Sequence, residues 1–512
     1  MLNLIKETTT LLLVIPFTLI IGLILSVRYN WTQLTLLPTS FSLIFSRNKE
    51  PKTKTGPSTL SAISAVLGGN LGTGNIAGIA VALSMGGPGA LFWMWVMALL
   101  ASIFKFSECY LSLKYTKRCK AQEHTVGGPL FYMQNICSKK QNMWKKALPL
   151  FYSLSLLCAA YGVGNVVQVQ SLTLPLERSG ISPLHLSFLL AAVTFIITSG
   201  GLQLFHRVVS SLVPIMALIY IATCMLILSL NWSALPNAIY SIFAGALGSH
   251  VISTQAITSG VCGGSFSLFK SLQVGFDRGL FATDAGSGIA GILHAPVKER
   301  YQKLSLPLSQ GMASLLSPIL VMAICTLTGL VILVSKVDPL QYESTNLCVE
   351  AFSSLCHTPI SNLVTFFNSL ASYVTSVVNP AAQNTPDAAI TLQAAALDSH
   401  FGRNWGGNIV TVTLFFFAFT TILTWSRCAE ETLHFYCKNK KWPIVLHRLC
   451  FAGVIPLSTL FTVQTLWQIA DLALNAMLLS NLIALFLLRS KVETTEIKTF
   501  FKQKKKLATA GS

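Results

Sequence analysis

The sequence predicts an all-α membrane protein with about 11 transmembrane helices. Three observations carry that expectation. Only 11% of the 512 residues are charged and the mean hydropathy is +0.62, a composition suited to lipid and packed helix rather than to water. Apolar runs long enough to cross a hydrocarbon core, which takes about 20 residues, recur along the chain. Inside one of them, from about Leu60 to Met85, the segment Gly68-Gly69-Asn70-Leu71-Gly72-Thr73-Gly74-Asn75 places glycines and amides at bilayer depth.

The apolar runs lie at 9–27, 59–85, 89–113, 147–172, 184–200, 208–230, 236–258, 309–334, 407–428, 444–463 and 467–488. The first has the outline of a signal peptide, but it is long for one, no clear small-residue cleavage site comes after it, and Arg28 closes it; it is read as a helix. Residues 1–58 then form an extra N-terminal helix and its loop. The second run is interrupted by residues that are poor helix formers. Irregular backbone at membrane depth is tolerated only inside protein or beside a cavity. A break there frees N–H groups from one half-helix and C=O groups from the other, which can hold an anion and a cation side by side. Gly68/Gly72 and Gly74/Gly78 are also spaced for close helix packing, yet five glycines and two asparagines between Gly68 and Gly78 exceed what packing requires.

Lys and Arg set the orientation. The loop after the first run carries Arg28, Arg47, Lys49, Lys52 and Lys54, that after the third carries Lys114, Lys117, Arg118 and Lys120, and the tail 489–512 carries Arg489, Lys491, Lys498, Lys502, Lys504, Lys505 and Lys506. The intervening loops are nearly free of them. The alternation puts the N-terminus outside and the C-terminus in the cytoplasm. The net charge of +18 is thereby a topology signal and not a nucleic-acid patch. The insertion 335–406 holds Asp338, Glu343, Glu350, Asp387 and Asp398 against Lys336 and Arg403 and is expected to form a small external cap, with 363–378 either on the surface or re-entering the membrane. The 12 cysteines show no CxxC framework; Cys348 and Cys356 share the external loop, as a disulfide or as two thiols. No HExxH, Walker A or G-x-S-x-G motif is present, and no cofactor is expected.

Polar groups within the runs are few. Lys105 and Glu108 are spaced to pair on one helix face, as a structural pair or a gating contact. Asp471 is either a buried ligand or a solvated helix end, and His250 either a proton relay or a structural histidine. Gln168 can both donate and accept, which suits a zwitterion as well as helix-to-helix bonding. Thr420 and Thr421 offer hydroxyls for a hard cation, although membrane threonines commonly bond their own helix. Trp425, one turn on, can wall a pocket or sit in an interfacial belt.

Taken together, several motifs resemble the alanine or glycine:cation symporter family: Gly69-Asn70-Leu71-Gly72-Thr73-Gly74-Asn75-Ile76-Ala77-Gly78, Gly86-Gly87-Pro88-Gly89-Ala90-Leu91-Phe92-Trp93, Lys105-Phe106-Ser107-Glu108, Gly127-Gly128-Pro129-Leu130-Phe131-Tyr132, Gly164-Asn165-Val166-Val167-Gln168, Arg278-Gly279-Leu280-Phe281, Asp284-Ala285-Gly286, Phe417-Ala418-Phe419-Thr420-Thr421-Ile422-Leu423-Thr424-Trp425, and the stretch from Trp467 to Asn481. Their order and spacing hold from about residue 57 to 490.

The resemblance implies a LeuT-like fold with two inverted five-helix repeats, 59–230 and 236–488, in a bacterial cytoplasmic membrane. It implies sodium-coupled import of a small neutral amino acid, alanine or glycine. The substrate would meet Thr73, Gly74, Gln168 and Trp425. Sodium, as the coupling ion, would meet Gly69, Asn70, Thr420 and Thr421. The chain departs from the family where Ala282-Thr283-Asp284-Ala285-Gly286 replaces Ser-Asn-Glu-Ala-Gly, and in the seventh run, whose Ala246-Leu247-Gly248-Ser249-His250 lacks the expected small-residue stretch. Proton coupling through His250 or Asp471, a non-transporting sensor, and a membrane-embedded enzyme are the alternatives; the last would need a cluster of His, Asp or Glu at one face, which the sequence does not display. Oligomeric state is left open.

Overall fold

The computed structural model describes residues 8–45, 56–118, 125–136, 144–178, 182–247, 268–298, 304–334, 405–437, 440–459 and 464–500 except 498. Regular structure among them is helical, apart from a two-residue antiparallel pairing of Lys117–Arg118 with Thr125–Val126. The chain is an all-α, multi-pass membrane protein. Among the described residues seven helices are long and apolar enough to cross a bilayer. They include α1 (Thr10–Arg28), α4 (Gly89–Lys114), α5 (Ala147–Thr173), α7 (Gly201–Leu230) and α11 (Leu306–Val334). The other two lie in α12 (Trp405–Cys437) and α14 (Gln464–Leu487). An eighth span is made by α2 (Thr59–Asn70) and α3 (Gly74–Gly86), bent by 73° at the glycine-rich segment.

Among the described residues seven or eight spans are thus seen where eleven runs were expected, and the other runs are occupied as follows. Helices α6 (Pro183–Ser199) and α13 (Trp442–Ser458) occupy the fifth and tenth runs, but as shorter apolar helices of 17 residues each, about 25 Å at 1.5 Å per residue. The seventh run is helical over α8 (Leu235–Ala246), and from residue 248 on it lies outside the described residues, as do His250 and residues 335–404 of the insertion.

Residues 268–294, expected as loop, instead form a second broken helix, α9 (Leu268–Thr283) and α10 (Ile289–His294). Lys270, Gln273, Asp277 and Arg278 dilute its hydropathy, so an apolar-run criterion passes over it. Its inward face is apolar all the same, with Val274, Phe276 and Leu280 buried.

The two broken helices lie at the centre. Helix α3 packs on α9 and α2 on α10, so they run antiparallel with their breaks side by side. Helix α4 supports both halves of the second, and α12 lies along α2 and α5. Local chemistry sets the ends. Ser58 caps α2 by accepting from Ser61 N at 3.2 Å, and Ser305 caps α11 by accepting from Leu308 N at 3.4 Å. Prolines open α6, α8 and α13 at the first turn, where a missing N–H costs nothing.

The outer faces carry exposed Ile215, Leu218, Ile219, Met225 and Leu226 on α7, as lipid contact demands. The basic ends gather at one end of the bundle. Arg28 Nε donates to Arg489 O at 2.9 Å, and Lys114 Nζ reaches Lys491 O at 2.8 Å and Glu493 Oε1 at 2.6 Å.

The second break turns through Asp284 (φ 44°), Gly286 (φ 81°) and Gly288 (φ 88°). At Gly288 a Cβ would also lie 2.1 Å from Pro129 Cγ. Gly288→Ala is therefore expected to destabilise the protein by about 1–3 kcal/mol through strain and overpacking, seen as earlier thermal unfolding in detergent. Gly453→Ala, whose Cβ meets nothing within 4 Å, is expected to unfold with the wild type.

Candidate functional site

At the first break the backbone leaves its helix between Asn70 and Gly74, and side chains take over the freed groups. Asn75 Nδ2 donates to the Asn70 carbonyl. Thr73 N–H, a free donor at the start of α3, is accepted by Gln168 Oε1 at 3.0 Å, and Thr73 Oγ1 donates to the same oxygen at 3.1 Å. Gln168 reaches them because α5 contains a π turn over Gly162–Val166. Such single turns insert a residue and re-aim the side chains on their C-terminal side. Its Nε2 is held by Val163 O at 3.0 Å. An amide oxygen thus rests on two donors of a type that can also hold a carboxylate.

Gly72 is required here, since a Cβ would lie 2.9 Å from Gln168 Oε1 and 3.1 Å from Thr421 Oγ1. A Cβ at Gly74 or Gly78, by contrast, meets nothing within 4 Å. There is free space beside the first turn of α3.

Two hydroxyls on α12 face the other half-helix. Thr421 Oγ1 donates to Gly68 O at 2.9 Å and Thr424 Oγ1 to Ala65 O at 3.4 Å. Thr420 is buried beside Gly68 but donates to its own helix, to Phe416 O and Phe417 O at 3.1 Å. Thr424 was not among the residues singled out from the sequence, although its spacing of three from Thr421 puts both on one face. Asn70 Nδ2 donates to Thr283 O at 2.9 Å, and its buried Oδ1 has no hydrogen-bond partner among the described residues. The oxygens converging on the end of α2 are neutral and hard, the type that suits an alkali cation. Trp425 is buried against the π turn, where a Cβ on Gly164 would lie 2.3 Å from its own Cβ.

Charged side chains serve the second break. Lys105 and Glu108, both fully buried on α4, do not pair with each other. Lys105 Nζ donates to Asp284 O at 2.9 Å, and Glu108 Oε1 accepts from Gly288 N at 3.0 Å and Asn481 Nδ2 at 3.2 Å. Asn481 Nδ2 also reaches Gly286 O at 2.8 Å, while its Oδ1 accepts from Tyr132 OH at 2.5 Å. Tyr152 OH donates to Ser287 O at 2.7 Å. Asn481→Ala would strip partners from three buried groups at once. It is expected to cost about 1–3 kcal/mol, measurable as a lower unfolding temperature of the purified protein.

A second polar cluster escaped the sequence reading. On α12 Arg427 pairs with Glu430 at 3.3 Å and with Glu431, and Arg448 of α13 pairs with Glu430. The i, i+3 and i, i+4 spacing on α12 was visible, but the partner Arg448 is distant in sequence. Arg427→Met would leave buried carboxylates short of charge and is expected to lose about 3–5 kcal/mol, again read from thermal unfolding. Asp471 is half-buried.

The family model described as the sodium:alanine symporter family matches residues 1–385 and 363–511. An uncharacterized transporter of Haemophilus influenzae is 30% identical over 94% of this chain and 92% of its own. A sodium/alanine symporter of Methanococcus maripaludis is 29% identical over 95% and 94%. A probable sodium/glutamine symporter of Bacillus subtilis is 29% identical over 96% and 88%.

Proposed function

The chain belongs to the sodium:alanine symporter family, and on that premise we propose that it imports a small neutral amino acid, alanine or glycine first, together with sodium. It is a secondary transporter of small amino acids and not an enzyme. The observation that carries the finer reading is the pair of contacts at one break: Gln168 on Thr73, and Thr421 on Gly68.

The substrate carboxylate displaces Gln168 Oε1 from the Thr73 donors and settles at the start of α3, near Gly74. Gln168, released, turns its amide to the zwitterion, and Trp425 closes the pocket. Sodium joins the carbonyls of Gly69 and Asn70 and the hydroxyl of Thr421, with Thr420 rotating away from its own helix to complete the set. Each ligand fixes the bend that the other needs, so each raises the affinity of the other.

The surrounding frame is two inverted five-helix repeats, 59–230 and 236–488, that rock about the site. In it α2–α3 and α9–α10 are the broken first members, and the second five are α9–α10, α11, α12, α13 and α14, with the 12-residue α8 standing outside the count. The protein lies in a bacterial cytoplasmic membrane with the N-terminus outside. The clustering of Arg28, Lys114 and Arg489 at one end supports that orientation.

Labelled alanine uptake into proteoliposomes tests the reading. An inward sodium gradient is expected to drive accumulation that equimolar potassium does not. Gln168→Ala is expected to abolish it, and Thr421→Ala to raise the sodium needed for half-maximal uptake about tenfold, the loss of one cation contact worth about 1.4 kcal/mol. Uptake indifferent to sodium, or a Thr421→Ala variant with unchanged sodium dependence, would sink this assignment of the ion site.

A further inference from the structure

The second break holds one carboxylate too many. Lys105 contributes one positive charge, and Glu108 and Asp284 one negative charge each; Asp284 is 7% exposed and the other two are fully buried. Glu108 spends Oε1 on Gly288 N and Asn481, while its buried Oε2 has no hydrogen-bond partner among the described residues. Lys105 spends its ammonium on the Asp284 backbone carbonyl. The Asp284 carboxylate has no hydrogen bond or ion pair among the described residues. Asp284 is one wall of a small, largely apolar cavity between α9 and α14, with Leu280, Phe281, Ser287, Leu474 and Asn475.

The other groups around it do not close the balance. Lys105 is the charged neighbour acting on Asp284, and Glu108 and Cys428 are the titratable ones that sense it. Tyr132 and Tyr152 are committed to Asn481 and Ser287. From α14 the cavity wall brings no charge at all. An uncompensated carboxylate in such surroundings costs several kcal/mol, so the cluster must take up one positive charge. The cavity is on the scale of about one water, which admits a proton or a small bare cation and excludes an amino acid.

We propose that Asp284 is a second, exchangeable cation site of the transport cycle, taking one proton or one sodium ion from this cavity, distinct from the ion site at the first break. The proposal rests on the transporter reading above. Its position gives it a route to the first break, because Thr283, its neighbour, accepts from Asn70.

Full-length protein in proteoliposomes, with the membrane potential clamped, gives the charge moved per alanine. Labelled sodium and an internal pH dye identify the carrier of that charge. The wild type is expected to move more than one positive charge per alanine, and Asp284→Asn one fewer, while alanine exchange continues. Loss of one labelled sodium per alanine identifies a sodium site; loss of alanine-dependent acidification identifies a proton site. Asp284→Glu is expected to keep the wild-type value. A wild type that moves a single charge overturns the proposal even if Asp284→Asn does not fold, and so does an Asp284→Asn variant with unchanged charge and ion fluxes. Thr421→Ala separates the two sites. A sodium dependence unchanged in Thr421→Ala, with charge lost in Asp284→Asn, removes the first-break assignment and leaves this one standing.

Discussion

A helix broken inside a bilayer leaves backbone donors and acceptors that water cannot reach, and each unsatisfied group costs several kcal/mol. Most of the polar chemistry in the centre of this protein answers that constraint. At the first break the freed groups are taken by Gln168, Asn75 and Thr421; at the second they are taken by Lys105, Glu108, Asn481 and Tyr152 and, from across, by Asn70. Removing one of these side chains does not merely delete a contact. It exposes a backbone group with no alternative partner, which is why polar residues so rare in the spans matter so much there.

The two breaks solve the same problem with opposite chemistry. The first is served by neutral amides and hydroxyls, whose bonds can be exchanged for those of a ligand at little net cost. Free space lies beside Gly74 and Gly78. The second adds two buried charges, Lys105 and Glu108, to neutral partners, and their release would leave an ion stranded in low dielectric. One break is therefore suited to open and reload, and the other to hold its shape while its net charge changes. A carrier that must bind, release and remain folded gains from dividing these duties between two sites.

Much of this was legible in the sequence, and the reasons for what was not are physical. The first break announced itself because Gly and Asn are conspicuous within an apolar run from Leu60 to Met85. Gln168, Thr421 and Trp425 stood out as polar or bulky groups in otherwise plain spans, and the fold brings Gln168 and Thr421 to Gly72 from two different helices. The second break was hidden because Lys270, Asp277 and Arg278 lower the hydropathy of α9 below that of a span, although they occur on a helix whose other face is buried. Lys105 and Glu108 were visible as charges, but spacing on one helix suggested that they meet each other. That each reaches across to a different turn of 284–288 depends on residues about 180 positions away, which no local pattern encodes. Thr420 and Thr424 show the same limit on a smaller scale: the sequence offers three threonines in five positions, and only the rotation of α12 against α2 decides that Thr424 faces the half-helix.

The Asn70–Thr283 hydrogen bond joins the two solutions into one device. The amide at the end of α2 donates to the last carbonyl of α9 at 2.9 Å, so neither break can change its bend without loading that bond. Packed interfaces of this kind settle in discrete arrangements rather than deforming smoothly. On the proposed reading, a ligand that straightens or tightens 71–73 would select among arrangements of 284–288, and a change of charge at Asp284 among those of 71–73. Thermodynamic linkage requires the two effects to be equal in free energy. The coupling proposed between the two sites would then arise from backbone groups that lipid cannot satisfy and that a side chain of the opposite helix does.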